Sequence, residues 1–123
     1  MNQEIKERWV AALRSGEYKQ GRGSLNKGDF FCCLGVLCDL AAKEGLVDAV
    51  VDSGLDLYSG GEVLYSDKRN REDASNLILP DVVKEWAGLD ENNPSVNSSG
   101  TLAELNDQGY DFEYIAATIE NQL

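Results

Sequence analysis

The sequence predicts an α+β domain: a central buried helix, with N- and C-terminal helices packed against a small antiparallel β-hairpin or sheet. Three features carry that expectation. Apolar residues recur at helical spacing at both ends of the chain. Residues 32–43 are apolar on almost every side, and apolar runs between 46 and 65 are broken by Ser59-Gly60-Gly61. A helix stripe repeats every 3.6 residues and a half-buried strand every 2, so the two patterns separate the element types. A chain of 123 residues fits one domain, and its 42% hydrophobic content supplies a core that folds without cross-links. No internal repeat or long linker divides it.

Ile5, Trp9, Ala12 and Leu13 lie at i, i+4, i+7 and i+8 and place a helix over residues 2–15. Asn2 suits its N-cap and Gly16 its left-handed stop. Glu4 and Arg8 are spaced as a favourable i,i+4 pair. Residues 17–29 are polar and punctuated by glycine, with a turn at Asn26-Lys27-Gly28-Asp29 and short paired strands expected at Leu25 and at Phe30-Phe31. Cys33, Leu34, Val36, Leu37, Leu40 and Ala41 then read as the central helix; its length, two alanines and a stop at Gly45 favour helix over strand. Gly35 inside it implies that another backbone passes close by.

Val47, Val50 and Val51 carry a strand signal. Leu55-Asp56-Leu57-Tyr58 and Glu62-Val63-Leu64-Tyr65, on either side of Ser59-Gly60-Gly61, predict a hairpin. Residues 66–75 are charged and read as a surface loop. Leu79-Pro80 opens a short helix ending at Gly88, with Pro80 at its first position and Val82, Val83 and Trp86 on its apolar face. Residues 90–100, rich in Asn, Ser and Pro, form a loop. A short helix over 101–106, a turn at Asp107-Gln108-Gly109 and an amphipathic helix over 112–121 complete the chain, the last with Phe112, Ile115, Ala116 and Ile119 as its stripe.

The charge is uneven. Residues 1–28 hold six bases and three acids, a net +3, so the other 95 residues carry −14 of the total −11. A chain this acidic repels polynucleotide phosphate, and direct nucleic-acid binding is not expected; a small anion in a local basic pocket remains compatible. No apolar run approaches the ~20 residues that cross a bilayer, so no membrane partner is expected. The first turn is polar and no apolar leader core follows it, which points to a cytoplasmic protein. The three cysteines are expected to be reduced and buried.

The chain contains no histidine, which removes Ser-His-Asp and Cys-His nucleophile arrangements and histidine metal sites. Cys33 and Cys38 are five apart, on different sides of a helix, so no metal site is expected from the thiols. Aligning Gly109 with the invariant glycine of a calcium loop puts Ile115 where a bidentate Glu is required. The last two helices resemble the start of a helix-turn-helix, but that segment is acidic and leaves no room for a further, groove-reading helix. Carboxylates are plentiful, yet none stands in an arrangement that marks a catalytic pair, so no catalytic residue is named.

The strongest functional candidate is Tyr18-Lys19-Gln20-Gly21-Arg22-Gly23. Glycines let backbone N–H groups approach an anion, while Lys and Arg add charge. Arg14, Tyr18, Lys19, Gln20 and Arg22 are therefore the expected ligand-binding residues, for a phosphate-bearing ligand, with no cofactor.

Trp9-x-x-Ala12-Leu13-Arg14-Ser15-Gly16-x-Tyr18-x-Gln20, then Phe31-Cys32-Cys33-Leu34-Gly35-Val36-Leu37-Cys38-Asp39, then Leu105-Asn106-Asp107-x-Gly109-x-x-Phe112-x-x-Ile115-Ala116 form a pattern over nearly the whole chain. It resembles a family of small, uncharacterised proteins of tailed bacteriophages and prophages. The resemblance implies a phage accessory protein acting in the cytoplasm of a bacterial host, and it transfers no functional site. The expected function is anti-defence: binding and sequestering a small nucleotide-derived signalling molecule, a sponge without catalysis. The alternative is an acidic protein-binding inhibitor of a host defence or nucleic-acid-binding protein; a carboxylate-based enzyme stands third. Expected partners are thus a nucleotide-like ligand or a host protein, with self-association into a homo-oligomer left open.

Overall fold

The computed structural model of the protein describes residues 1–51, 63–96 and 100–123. Its helices are α1 (Gln3–Arg14), α2 (Cys33–Lys43), α3 (Asp81–Ala87), α4 (Leu102–Asp107) and α5 (Phe112–Gln122). Its strands are β1 (Lys19–Gln20), β2 (Asn26–Lys27), β3 (Phe30–Phe31), β4 (Val47–Val51) and β5 (Val63–Asp67). The predicted α+β architecture is observed. No helix among the described residues is long and apolar enough to cross a membrane.

The apolar run over 33–38 becomes the centre of the core, with Cys33 through Cys38 all buried. α2 meets α1, α3, α4 and β4, while α5 packs on α1 and α4. Trp9 is fully buried against α2, and its indole N–H donates to the Cys33 carbonyl at 2.9 Å, so the ring's one polar atom is satisfied. Polar side chains cap the helices where the sequence supplies them. Asn2 accepts from the Ile5 amide at 3.1 Å, Thr101 from Glu104 at 3.3 Å and Asp111 from Tyr114 at 2.8 Å. The Cys32 thiol takes that place at α2, accepting from the Gly35 amide at 3.4 Å.

Two small sheets flank the helices. In one, β3 lies between β1, parallel to it, and β2, antiparallel to it, with Asn26 opposite Phe31 and Lys27 opposite Phe30. In the other, β4 and β5 pair antiparallel from Val47↔Asp67 to Val51↔Val63. The Leu55–Tyr58 half of the predicted hairpin lies outside the described residues; the partner of Val63–Asp67 is the valine-rich strand before it.

Four local expectations are corrected. Arg8 reaches Glu44 at 2.8 Å rather than Glu4, because its guanidinium extends across to the end of α2 and over the Trp86 ring. Pro80 sits just outside α3, as its N-cap. Ser66 is buried and Asp67 belongs to β5, so the charged stretch begins inside a strand. Lys19 and Gln20, read as loop, form the strand β1.

Gly35 behaves as the sequence implies. A Cβ there would overlap the Leu25 carbonyl oxygen, and that same oxygen accepts the Cys32 amide at 3.1 Å. The loop before β2 is thus pressed onto the first turn of α2 at a distance only hydrogen permits. Neither backbone has room to retreat, since both belong to the packed core. Gly35→Ala is expected to destabilise the protein by about 3 kcal/mol or more, at the upper end of overpacking costs. Urea denaturation measures this, and a loss below about 1 kcal/mol would contradict the placement.

Candidate functional site

The polar loop between α1 and α2 is fixed by one residue from the far end of the chain. Asn106 on α4 is completely buried. Its amide nitrogen donates to the Gly21 carbonyl at 2.7 Å, and its oxygen accepts from the Gln20 amide at 2.9 Å and the Cys33 backbone N–H at 3.2 Å. Gln20 also donates to the Tyr110 carbonyl at 2.7 Å. Asp107 accepts the Gly23 N–H at 3.0 Å, and the Leu25 N–H donates to the Asn76 carbonyl at 2.7 Å. The loop is therefore held at 20, 21, 23 and 25 by contacts remote in sequence.

On this loop lies a cleft of about 290 Å³ lined by Gly21, Arg22, Ser24, Lys27 and Phe30. Phe30 is 51% exposed, unusual for a phenyl ring, and Arg22 and Lys27 form no ion pair among the described residues. The Arg22 guanidinium lies over Gly109, 3.0 Å from where a Cβ would stand; Gly109 has φ +98°, so glycine suits both the turn and the approach. Ser24 is only 6% exposed, yet it lines the cleft. Two cations, a hydroxyl and an aromatic face meeting in one concavity can take up a small anion attached to a flat or apolar group.

The five sequence-predicted residues do not converge. Arg22 lines the cleft. Lys19 is exposed on β1 outside the cleft lining. Arg14 turns the other way, to α5, bonding Glu113 at 3.0 Å and pairing with Glu120. Those carboxylates, Glu113 foremost, raise its pKa and hold its guanidinium on α5. Tyr18 bonds the Asp39 carboxylate, receives Lys43 at 3.2 Å and stands edge-on to Phe31. Gln20 is consumed by Asn106 and Tyr110. The expected role of the loop amides is also corrected: the Gly21 N–H donates to the Phe31 carbonyl at 2.7 Å and the Gly23 N–H to Asp107. Neither glycine amide is left for a ligand.

Sequence reasoning missed Ser24, Lys27, Phe30 and Asn106. A signal for Asn106 existed, because it follows Leu102 at i+4 and Leu105 at i+1, a polar residue inside an apolar stripe. The other three carried none beyond their proximity to the turn at Gly28.

The family described as Domain of unknown function (DUF8296) matches residues 1–123. The chain belongs to that family. No curated protein and no solved structure matches it significantly.

Next to the loop, the cysteines are free and buried. Burial pushes the Cys32 thiol from the ordinary 9.0 up to about 11, and it raises Cys33 and Cys38 well above the ordinary value too. They are inert as nucleophiles at neutral pH.

Two outcomes follow. Asn106→Leu keeps the volume but strands the Gly21 carbonyl and the Cys33 N–H; each buried orphan costs about 1–3 kcal/mol, so a loss of about 2–4 kcal/mol is expected in urea. The thiols give a pH signature. Their folded values lie above the unfolded one, so their contribution is whole below pH 9.0, and between 9.0 and about 11 the unfolded chain sheds thiol protons that the native state keeps. Stability should fall as pH rises through that window, by about 1.4 kcal/mol per pH unit for each thiol still protonated. Denaturation under reducing conditions at about pH 8 and about pH 10.5 measures it, and equal stabilities would refute the burial of the thiols.

Proposed function

We propose that the protein binds and sequesters a small phosphate-bearing, nucleotide-like ligand without transforming it, using the cleft of Arg22, Ser24, Lys27 and Phe30. The observation that carries this reading is the pairing of Arg22 and Lys27, free of carboxylate partners among the described residues, with a half-exposed phenyl ring. In a chain of net charge −11, two such cations beside one aromatic face are a local exception. A guanidinium binds phosphate through charge-assisted, often bidentate hydrogen bonds, and the ring offers a surface on which a base stacks. The groups in the cleft bind and orient. On the resemblance to phage and prophage proteins, the setting we propose is a bacterial cytoplasm, and the ligand a nucleotide signal of host defence.

A second reading is an acidic inhibitor that docks on a basic host protein. It draws on Tyr110 and Tyr114, stacked at 4.5 Å and exposed at the start of α5 among Asp107, Asp111 and Glu113. Aromatic anchors within acidic surroundings suit a basic protein surface.

Calorimetry with cyclic nucleotides, nucleoside monophosphates and ADP-ribose-type nucleotides separates the two. Arg22→Ala should weaken the bound member by about ten- to a hundredfold with the melting temperature nearly unchanged. Arg14→Ala should leave affinity intact, and chromatography should recover the ligand unaltered. If no member of the panel binds at micromolar concentration, the inhibitor reading replaces this one.

A further inference from the structure

A second cavity adjoins the first and differs in chemistry. It measures about 260 Å³, and its walls include Ser24, Leu77, Ile78, Glu104 and Asp107. Leu77 and Ile78 are 57% and 42% exposed, although two adjacent large aliphatic residues ordinarily turn at least one inward. They are held in that attitude, since the Ser75 hydroxyl accepts from both their backbone N–H groups at 3.3 and 3.2 Å. Glu104 and Asp107 are exposed on α4 on the acidic side of the cavity.

Ser24 lines both cavities, and it is more than nine-tenths buried. The two concavities thus meet at Ser24, with two cations on one side and two carboxylates on the other. A ligand spanning both must be anionic at one end. At the other it must be flat or apolar and able to donate hydrogen bonds.

Resting on the reading proposed above, we infer that the second cavity receives the nucleoside of a nucleoside phosphate whose phosphate sits at Arg22 and Lys27. Leu77 and Ile78 cover one face of the base, and Glu104 and Asp107 accept from its N–H groups or from ribose hydroxyls. The Ser24 hydroxyl lies at the junction, where it donates to a phosphate oxygen. The carboxylates fix the polarity, because a phosphate placed beside them would meet like charge. A guanine base, with two adjacent N–H donors on one edge, matches a carboxylate better than uracil, which has one.

The test titrates the full chain with GMP, UMP, guanosine and inorganic phosphate, and repeats each titration with Leu77→Ala, Glu104→Gln and Arg22→Ala. Leu77 is exposed, so its removal should leave the melting temperature unchanged. GMP is expected to bind more tightly than UMP, guanosine or phosphate. Leu77→Ala should weaken GMP by about tenfold and leave phosphate untouched. Glu104→Gln should narrow the difference between GMP and UMP, and Arg22→Ala should weaken GMP and phosphate alike. If Arg22→Ala weakens GMP while Leu77→Ala and Glu104→Gln do not, the nucleoside lies elsewhere: this inference fails and the phosphate cleft stands. If phosphate alone binds as tightly as GMP, the inference also fails. If none of the four binds, this inference fails, and the sequestration reading is then decided by the wider nucleotide panel.

Discussion

The candidate site depends on one buried carboxamide. Asn106 has no solvent to satisfy it, so its donor and acceptor must be met within the protein. They are met by three segments distant in sequence: the end of β1, the loop after it and the first turn of α2. Its oxygen relieves an amide that α2 leaves without a helical partner, beside the one the Cys32 thiol relieves. No other residue type does this at the same size. Asp would offer no donor to the Gly21 carbonyl and would bring a charge into the interior; Leu would fill the space and orphan both neighbours.

The uneven charge of the chain finds its physical use at the helix contacts. Arg14 and Arg8 lie where helices meet, and acids from α5 and from the end of α2 come within reach of them. Such half-exposed pairs add little stability, but they occupy the cations. Arg22, on the loop, and Lys27, on β2, have neighbours that present backbone, glycine and aromatic surface. Asp107, the nearest acid in the hydrogen-bond network, spends an oxygen on the Gly23 amide. The basic excess of the first 28 residues is thereby divided into spent and available charge, a division that counting residues does not reveal.

Periodicity located α1 and α5 well because each has a polar N-cap and one apolar stripe turned to the core. Asn2 caps where expected, and Gly35 marks a backbone contact readable from its place in an otherwise apolar helix. Two-residue strands such as β1 leave no period to detect, so Lys19 and Gln20 looked like loop. The site was legible only at Arg22. Glycine and base content pointed to residues 18–23, but which side chains face one another depends on contacts of 73 to 90 positions in sequence: Asn106 with Cys33, and Gln20 with Asn106 and Tyr110. Tyr18 illustrates the difficulty. It is among the expected ligand-binding residues, yet Asp39 and Lys43, one turn apart on α2, capture its hydroxyl and burial raises its pKa.

Stability and site geometry are coupled by the way this loop is built. The Leu25 carbonyl rests on Gly35, and four residues earlier the Gly21 carbonyl rests on Asn106. Between these anchors stand Arg22 and Ser24, with the Gly23 N–H fastened to Asp107 midway. A span of three residues pinned at both ends and in the middle has little freedom to re-aim a guanidinium, so much of its backbone ordering is completed on folding rather than on binding. The same anchors make the arrangement fragile. A change at Gly35, Asn106 or Gly109 touches no ligand, yet it would displace Arg22 relative to Lys27 and Phe30, which belong to the separately paired β2–β3 hairpin. Affinity for a phosphate at the cleft would therefore be set as much by the core contacts that hold two short segments face to face as by the side chains that would meet it.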